Sequence, residues 1–169
     1  QPTTGGEPYK LTLFNHDAFH PRWSPDDEWI AFITNESGLP QLAIMRTHGG
    51  GMQTIAITTR RWQRPTGVLS ITTRDAATGA PTGSRVHLTA SDGKFYAPTD
   101  AYARVGAQDD HVFHHRGAFT VEVPAGRTEV TVVKGFEYWP ETVTVETPAN
   151  KVTPVIIDLR RMTDMAAKG

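Results

Sequence analysis

No cysteine occurs among the 169 residues, which removes disulfides, thiolate nucleophiles and Cys-ligated zinc in one step. Charge of either sign is not in excess, with 17 Lys and Arg against 18 Asp and Glu. The chain therefore lacks the basic face that nucleic acid or an anionic membrane surface requires. No apolar run approaches the roughly 18 residues of a membrane span, and Gln1-Pro2-Thr3-Thr4-Gly5-Gly6 has neither the charged start nor the apolar stretch of a signal peptide. There is no G-x-S-x-G elbow and no other complete catalytic motif. Neither nucleic acid nor membrane is expected as a partner, and no cofactor is expected in this chain.

What is present is punctuation. Fifteen Gly and 12 Pro break up a chain that is 38% hydrophobic, a composition of short strands rather than long helices. Gly117 to Thr147 shows it best. Phe119, Val121 and Val123 alternate with Thr120 and Glu122, Pro124-Ala125-Gly126 turns the chain, and Glu129-Val130-Thr131-Val132 alternates again. That pattern predicts a β-hairpin with one dry face, and Thr142-Val143-Thr144-Val145 predicts a third strand after Gly135.

The same period appears at Val68 to Thr72, Arg85 to Thr89 and Lys151 to Leu159. About seven strands in about ninety residues is the spacing of a β-sandwich. Its predicted core is Leu69, Ile71, Val86, Leu88, Phe119, Val121, Val123, Val130, Val132, Val143, Val145 and Ile156, recurring at period two as two facing sheets demand. Upstream, Tyr9 to Phe14 alternates as a strand. His20 to Thr34 then reads as strand, Ser-Pro-Asp-Asp turn and strand, with Pro25 at the first corner of a type I turn. Further strands at Gln41 to Arg46 and Gln53 to Ile57 complete a four-stranded meander.

The stretch Pro21 to Gly50 resembles the P-x-W-S-P-D-x-x-x-I-A-F repeat of TolB-type β-propellers, with Asp27 where that family usually has Gly. The resemblance covers one blade and implies further blades in a closed ring. Gly67, Leu69, Ile71, Asp75, Thr78-Gly79, Pro81, Gly117, Phe119, Val121, Pro124, Gly126 and Lys134-Gly135 resemble the carboxypeptidase-regulatory-like, or transthyretin-like, sandwich over residues 66 to 160. The expected fold is all-β: a propeller-blade-like four-stranded meander followed by a seven-stranded antiparallel β-sandwich. The expected divisions are 1–60 for the blade, 61–66 for an Arg-rich linker, 67–160 for the sandwich and 161–169 for an interdomain tail.

Two constellations carry chemistry. Asp100 to Arg116 reads as a long insertion, and Asp109, His111 and His114 in it are candidate ligands for a divalent metal. Tyr138 and Trp139, beside Phe136 and Pro140, form either an aromatic platform for a ligand or the rim of the core. His16 and His20 read as turn and strand-entry residues.

The order of blade, sandwich and an R-x-x-D-M-A-A-x-G exit is similar to the non-catalytic region of CehA/McbA-like metal-dependent hydrolases. It implies an accessory piece of an exported, amidohydrolase-like enzyme, periplasmic or extracellular. Its partners would be the remaining blades and a downstream catalytic domain, and any divalent metal would sit in the parent protein. Whether this chain belongs to an enzyme is left open by its own residues. The alternative is a carbohydrate- or protein-binding β-sandwich module, with exposed blade edges allowing a homo-oligomer.

Overall fold

The computed structural model describes residues 5–7, 10–106 and 110–165. They form twelve β-strands in three sheets, with no helix among the described residues. The chain divides into two compact units, Gln1–Arg60 and Arg61–Gly169.

In the first unit, β1 (Ala18–Trp23), β2 (Trp29–Thr34), β3 (Gln41–Arg46) and β4 (Gln53–Ile55) pair in that order as an antiparallel meander. The Ser-Pro-Asp-Asp turn closes on itself. The Asp27 N–H donates to the Ser24 carbonyl at 3.0 Å, the Trp29 N–H donates to Ser24 Oγ at 2.9 Å, and the Ser24 hydroxyl donates to the Asp26 carboxylate. Asp27 takes φ 58°, in the left-handed region that favours Gly. A small core of Ile30, Phe32, Ala43 and Met45 lies on one face, covered by Leu11, Phe14 and Met52. The expected strand at Tyr9 to Phe14 is absent among the described residues of that stretch, 10 to 14. Leu11 and Phe14 both point at the core, and a spacing of three cannot be met by a strand of period two.

The second unit is a sandwich of eight strands, not seven. One sheet runs in the order β11 (Glu141–Thr147), β10 (Gly126–Val133), β6 (Ser84–Thr89), β8 (His111–His115), β7 (Tyr102–Val105); the other runs β12 (Val152–Leu159), β5 (Thr66–Asp75), β9 (Ala118–Pro124). Six of the eight are segments that the alternation names, and the supposed insertion at Asp100 to Arg116 supplies the other two, β7 paired antiparallel with β8. The sandwich is also not wholly antiparallel. β12 runs parallel to β5 from Val152 opposite Val68 to Leu159 opposite Asp75.

The expected hairpin at Pro124-Ala125-Gly126 is instead a corner between sheets. Pro124 pairs with Thr66 in the smaller sheet, and Gly126 pairs with Thr147 in the larger. Only Ala125 separates the two strands, and a hairpin needs at least two turn residues to reverse the chain within one sheet. Gly126, at φ 123°, makes the step possible, and a Cβ there would meet Ser91 Cβ at 2.9 Å.

Leu69, Ile71, Val86, Leu88, Val121, Val123, Val130 and Val132 are buried between the sheets, with Phe119, Val143 and Val145 packed partly exposed against them. Ile156 is the exception: it faces solvent, 58% exposed, while Ile157 and Leu159 are buried. Val155-Ile156-Ile157 is apolar at every position and carries no period, so the face is decided by Asp158, whose carboxylate meets Arg74 outside the sheet at 2.8 Å.

Candidate functional site

The turn from β10 into β11 holds the two aromatic candidates and gives them different surroundings. Tyr138 is buried. Its hydroxyl donates to Asp75 Oδ2 at 2.6 Å and accepts from Arg161 Nε at 3.0 Å. Lys134 Nζ lies 4.8 Å from the ring centre and the Arg161 guanidinium 5.2 Å, both as cation–π contacts. The Tyr138 hydrogen bond, with the amides of Thr78 and Ala77, holds the Asp75 carboxyl below its ordinary range, and Asp75 in turn raises the Tyr138 phenol. Asp75 Oδ1 also accepts the N–H groups of Ala77 and Thr78 at 2.9 and 3.1 Å, closing the loop after β5. Tyr138 thus fastens the end of β5, the β10–β11 turn and the tail together, and its ring is not available to a ligand.

Trp139 faces the other way. It is 52% exposed, and Phe136, two residues before Tyr138, is 96% exposed. The tail is laced to the same turn: Trp139 N–H donates to the Arg160 carbonyl at 3.0 Å, Met162 N–H to the Glu137 carbonyl at 2.7 Å, and Met165 N–H to Glu137 Oε1 at 2.9 Å. Met162 and Met165 are themselves exposed. The sequence reading missed these two methionines, because the partners that bring them to the turn are main-chain groups that leave no mark in a motif.

Of the metal candidates, His111 and His114 are not brought together. Asp109 lies outside the described residues. His111 and His114, three positions apart on β8, project from opposite faces of the strand. His111 stacks on Phe95 with ring centres 5.1 Å apart, whereas His114 is exposed on the outer side with Arg85 and Arg104 near enough to lower its pKa after burial has done so. Asp110 meets His87 Nδ1 at 3.1 Å. Among the described residues no three His, Asp or Glu side chains are grouped to hold a metal ion. His16 stacks on Phe14, and His20 sits at φ 55° where the β1 register shifts.

One pair resembles catalytic machinery. Ser84 Oγ and His115 Nε2 are 2.9 Å apart. The Gly117 N–H donates to His115 Nδ1 at 2.9 Å, so the ring proton is on Nε2 and points at the serine. A serine nucleophile needs the reverse, a bare nitrogen facing Oγ and a carboxylate on the far one. Burial pushes the His115 pKa down to about 4, with His114 adding to it. The imidazole is a neutral brace between β6 and the β8–β9 link.

No family model matches the chain, and no curated protein matches it. Solved structures do. The minor pilin GBS52 of Streptococcus agalactiae is 16% identical, with 83% of this chain and 63% of that one covered, at a TM-score of 0.43. The TIE protein of Bacillus anthracis is 16% identical over 86% of this chain and 31% of that one, TM-score 0.42. The shaft pilin SpaA of Lactobacillus rhamnosus GG is 11% identical, over 86% and 70%, TM-score 0.41. The chain therefore spans less than two thirds of the length of the first two.

These findings correct the family resemblances. The similar structures are pilins and the TIE protein, and none of them links this chain to a propeller or to a metal-dependent hydrolase, so the expectation of a TolB-type blade ahead of a CehA/McbA-like catalytic domain does not hold. The motif residues have local reasons that need no such family. Ser24, Asp26 and Trp29 close a hairpin turn, and Asp75 caps the loop that Thr78, Gly79 and Pro81 complete.

Proposed function

We propose that this chain is a non-catalytic, protein-binding module that works outside the cytoplasm and takes its partner at the end formed by the β10–β11 turn and the tail. The observation that carries it is the set of exposed side chains there: Phe136 and Trp139 from the turn, Met162 and Met165 from the tail. Trp139 is fixed through its main chain by the Arg160 carbonyl, and Met162 and Met165 by Glu137, while Phe136 lies in the same turn, which Tyr138 fastens between Lys134 and Arg161. Rigid aromatic anchors cost little ordering entropy on binding, and aromatic side chains and Met are the residues enriched in protein interfaces. An extracellular setting agrees with the Gram-positive pilins among the similar structures.

The test is selection from a displayed random-peptide library on the full chain, in parallel with a variant carrying Phe136→Ser and Trp139→Ala. Peptides with apolar anchors that bind the natural chain and lose at least about tenfold on the variant, roughly 1.4 kcal/mol, support the reading. Glycans on an array that bind through Trp139, with no peptide recovered, replace it with the carbohydrate alternative.

A further inference from the structure

Each open sheet has two outer edges, and an edge strand left unguarded pairs with another chain. Among the described strands, most edges carry a guard. In the first unit β1 shifts register between Phe19 and Arg22, and β4 has three residues. In the second, β7 has four residues. β11 carries Glu141 and Glu146, with Glu141 held by Arg160 at 2.9 Å. β12 contains Pro154. The Val68 N–H bonds to the Lys151 carbonyl and the Ala76 N–H to the Leu159 carbonyl, so odd-numbered residues of that strand face β5. The missing N–H of Pro154 therefore falls on the outer edge.

β9 carries one charge and none of the other devices. Its seven residues pair with β5 in unbroken register, and its only proline is the last residue. Its single charge, Glu122, is turned back to accept the Thr66 hydroxyl at 2.6 Å. The bonding also says what the edge offers. The Thr73 N–H donates to the Gly117 carbonyl at 2.8 Å and the Ala125 N–H to the Pro65 carbonyl at 3.0 Å. Odd-numbered residues thus bond to β5, and the main-chain groups of Ala118, Thr120 and Glu122 point away from it. All three residues are exposed.

We infer that β9 is a strand-addition site whose occupant is β9 of a second copy of this chain, antiparallel and centred on Thr120. In that register Thr120 faces Thr120, and Ala118 faces Glu122 on both sides of the axis. No like charges meet, and every opposed pair retains both N–H groups. On the inner face Phe119, still partly exposed, falls opposite the second copy's Val121, an aromatic and β-branched pair of the kind that stabilises sheets. Centring on Glu122 would oppose two carboxylates and set Thr120 against the Pro124 that has no N–H. Of these two registers the strand favours the one centred on Thr120. This surface is separate in sequence from the Trp139 turn and does not depend on the reading of that end.

The experiment is sedimentation velocity of the full chain over a concentration series, with Thr120→Pro and Thr120→Lys alongside. Proline at 120 removes an N–H that β5 does not use; lysine opposes two like charges and makes no demand on the backbone. The natural chain is expected to pass from monomer to dimer as concentration rises, and both variants to stay monomeric with unchanged circular dichroism. In hydrogen exchange the amides of Thr120 and Glu122 gain protection with concentration, while Val121 is protected throughout. A natural chain that remains monomeric across the series, or a dimer that survives both substitutions, overturns the inference. Should the proline variant fail to fold, the lysine variant and the exchange pattern decide.

Discussion

Tyr138 and Trp139 are neighbours with opposite tasks, and substitution separates them. Tyr138→Phe keeps the ring but removes the bonds to Asp75 and Arg161, and the expected loss is about 1 kcal/mol in denaturant unfolding. Trp139→Ala removes an exposed ring and is expected to change stability by no more than about 0.5 kcal/mol. His115 sets a pH dependence. Its pKa falls from 6.5 in the unfolded chain to about 4 in the folded one, so between those values the unfolded state binds the extra proton. Its contribution is fully present above about pH 6.5, declines as pH falls toward 4, and is constant below. With allowance for partial exposure it amounts to about 1–2 kcal/mol. Stability curves from pH 7 to 4 should slope less for His115→Phe than for the natural chain; equal slopes would contradict the buried neutral imidazole.

Elements show where sequence was sufficient and where it was not. The alternation of Val86 and Leu88, or of Val130 and Val132, named both strand and buried face, because a period of two has one meaning when one face is dry. Partnership was harder. Nothing in Phe119 to Val132 distinguishes a hairpin from a corner except the single residue left between the strands, and β12 joins β5 in parallel across a separation that local pattern does not span. The two histidines show the reverse case: spacing along β8 was legible, but the parity that sends His111 and His114 to opposite faces required knowing that the segment was a strand. Gly67, buried in β5, tests the packing of this element. A Cβ there would stand 2.3 Å from the Pro148 carbonyl oxygen and 2.8 Å from Thr147 Cγ2. Gly67→Ala is expected to cost about 3 kcal/mol, whereas Gly135→Ala, at φ 53° in open space, should cost about 1 kcal/mol, both read from urea unfolding.

For the whole molecule, the two units carry very different cores. The first buries Ile30, Phe32, Ala43 and Met45, whereas the second buries a cluster that runs the length of both sheets. Residues 61–169 alone are expected to unfold in one cooperative transition, with the midpoint of the main transition of the full chain. A fragment without such a transition would contradict two separate cores. The proposed function at this scale rests on a surface, and the bonded Ser84–His115 pair has its ring proton on the wrong nitrogen for a serine nucleophile. The most direct measurement is the affinity of a library-selected peptide for the natural chain and for the Phe136→Ser, Trp139→Ala variant, by titration calorimetry at matched stability. The account predicts binding to the natural chain and a loss of at least about tenfold on the variant. Equal affinity for the two proteins would place the partner elsewhere and contradict it.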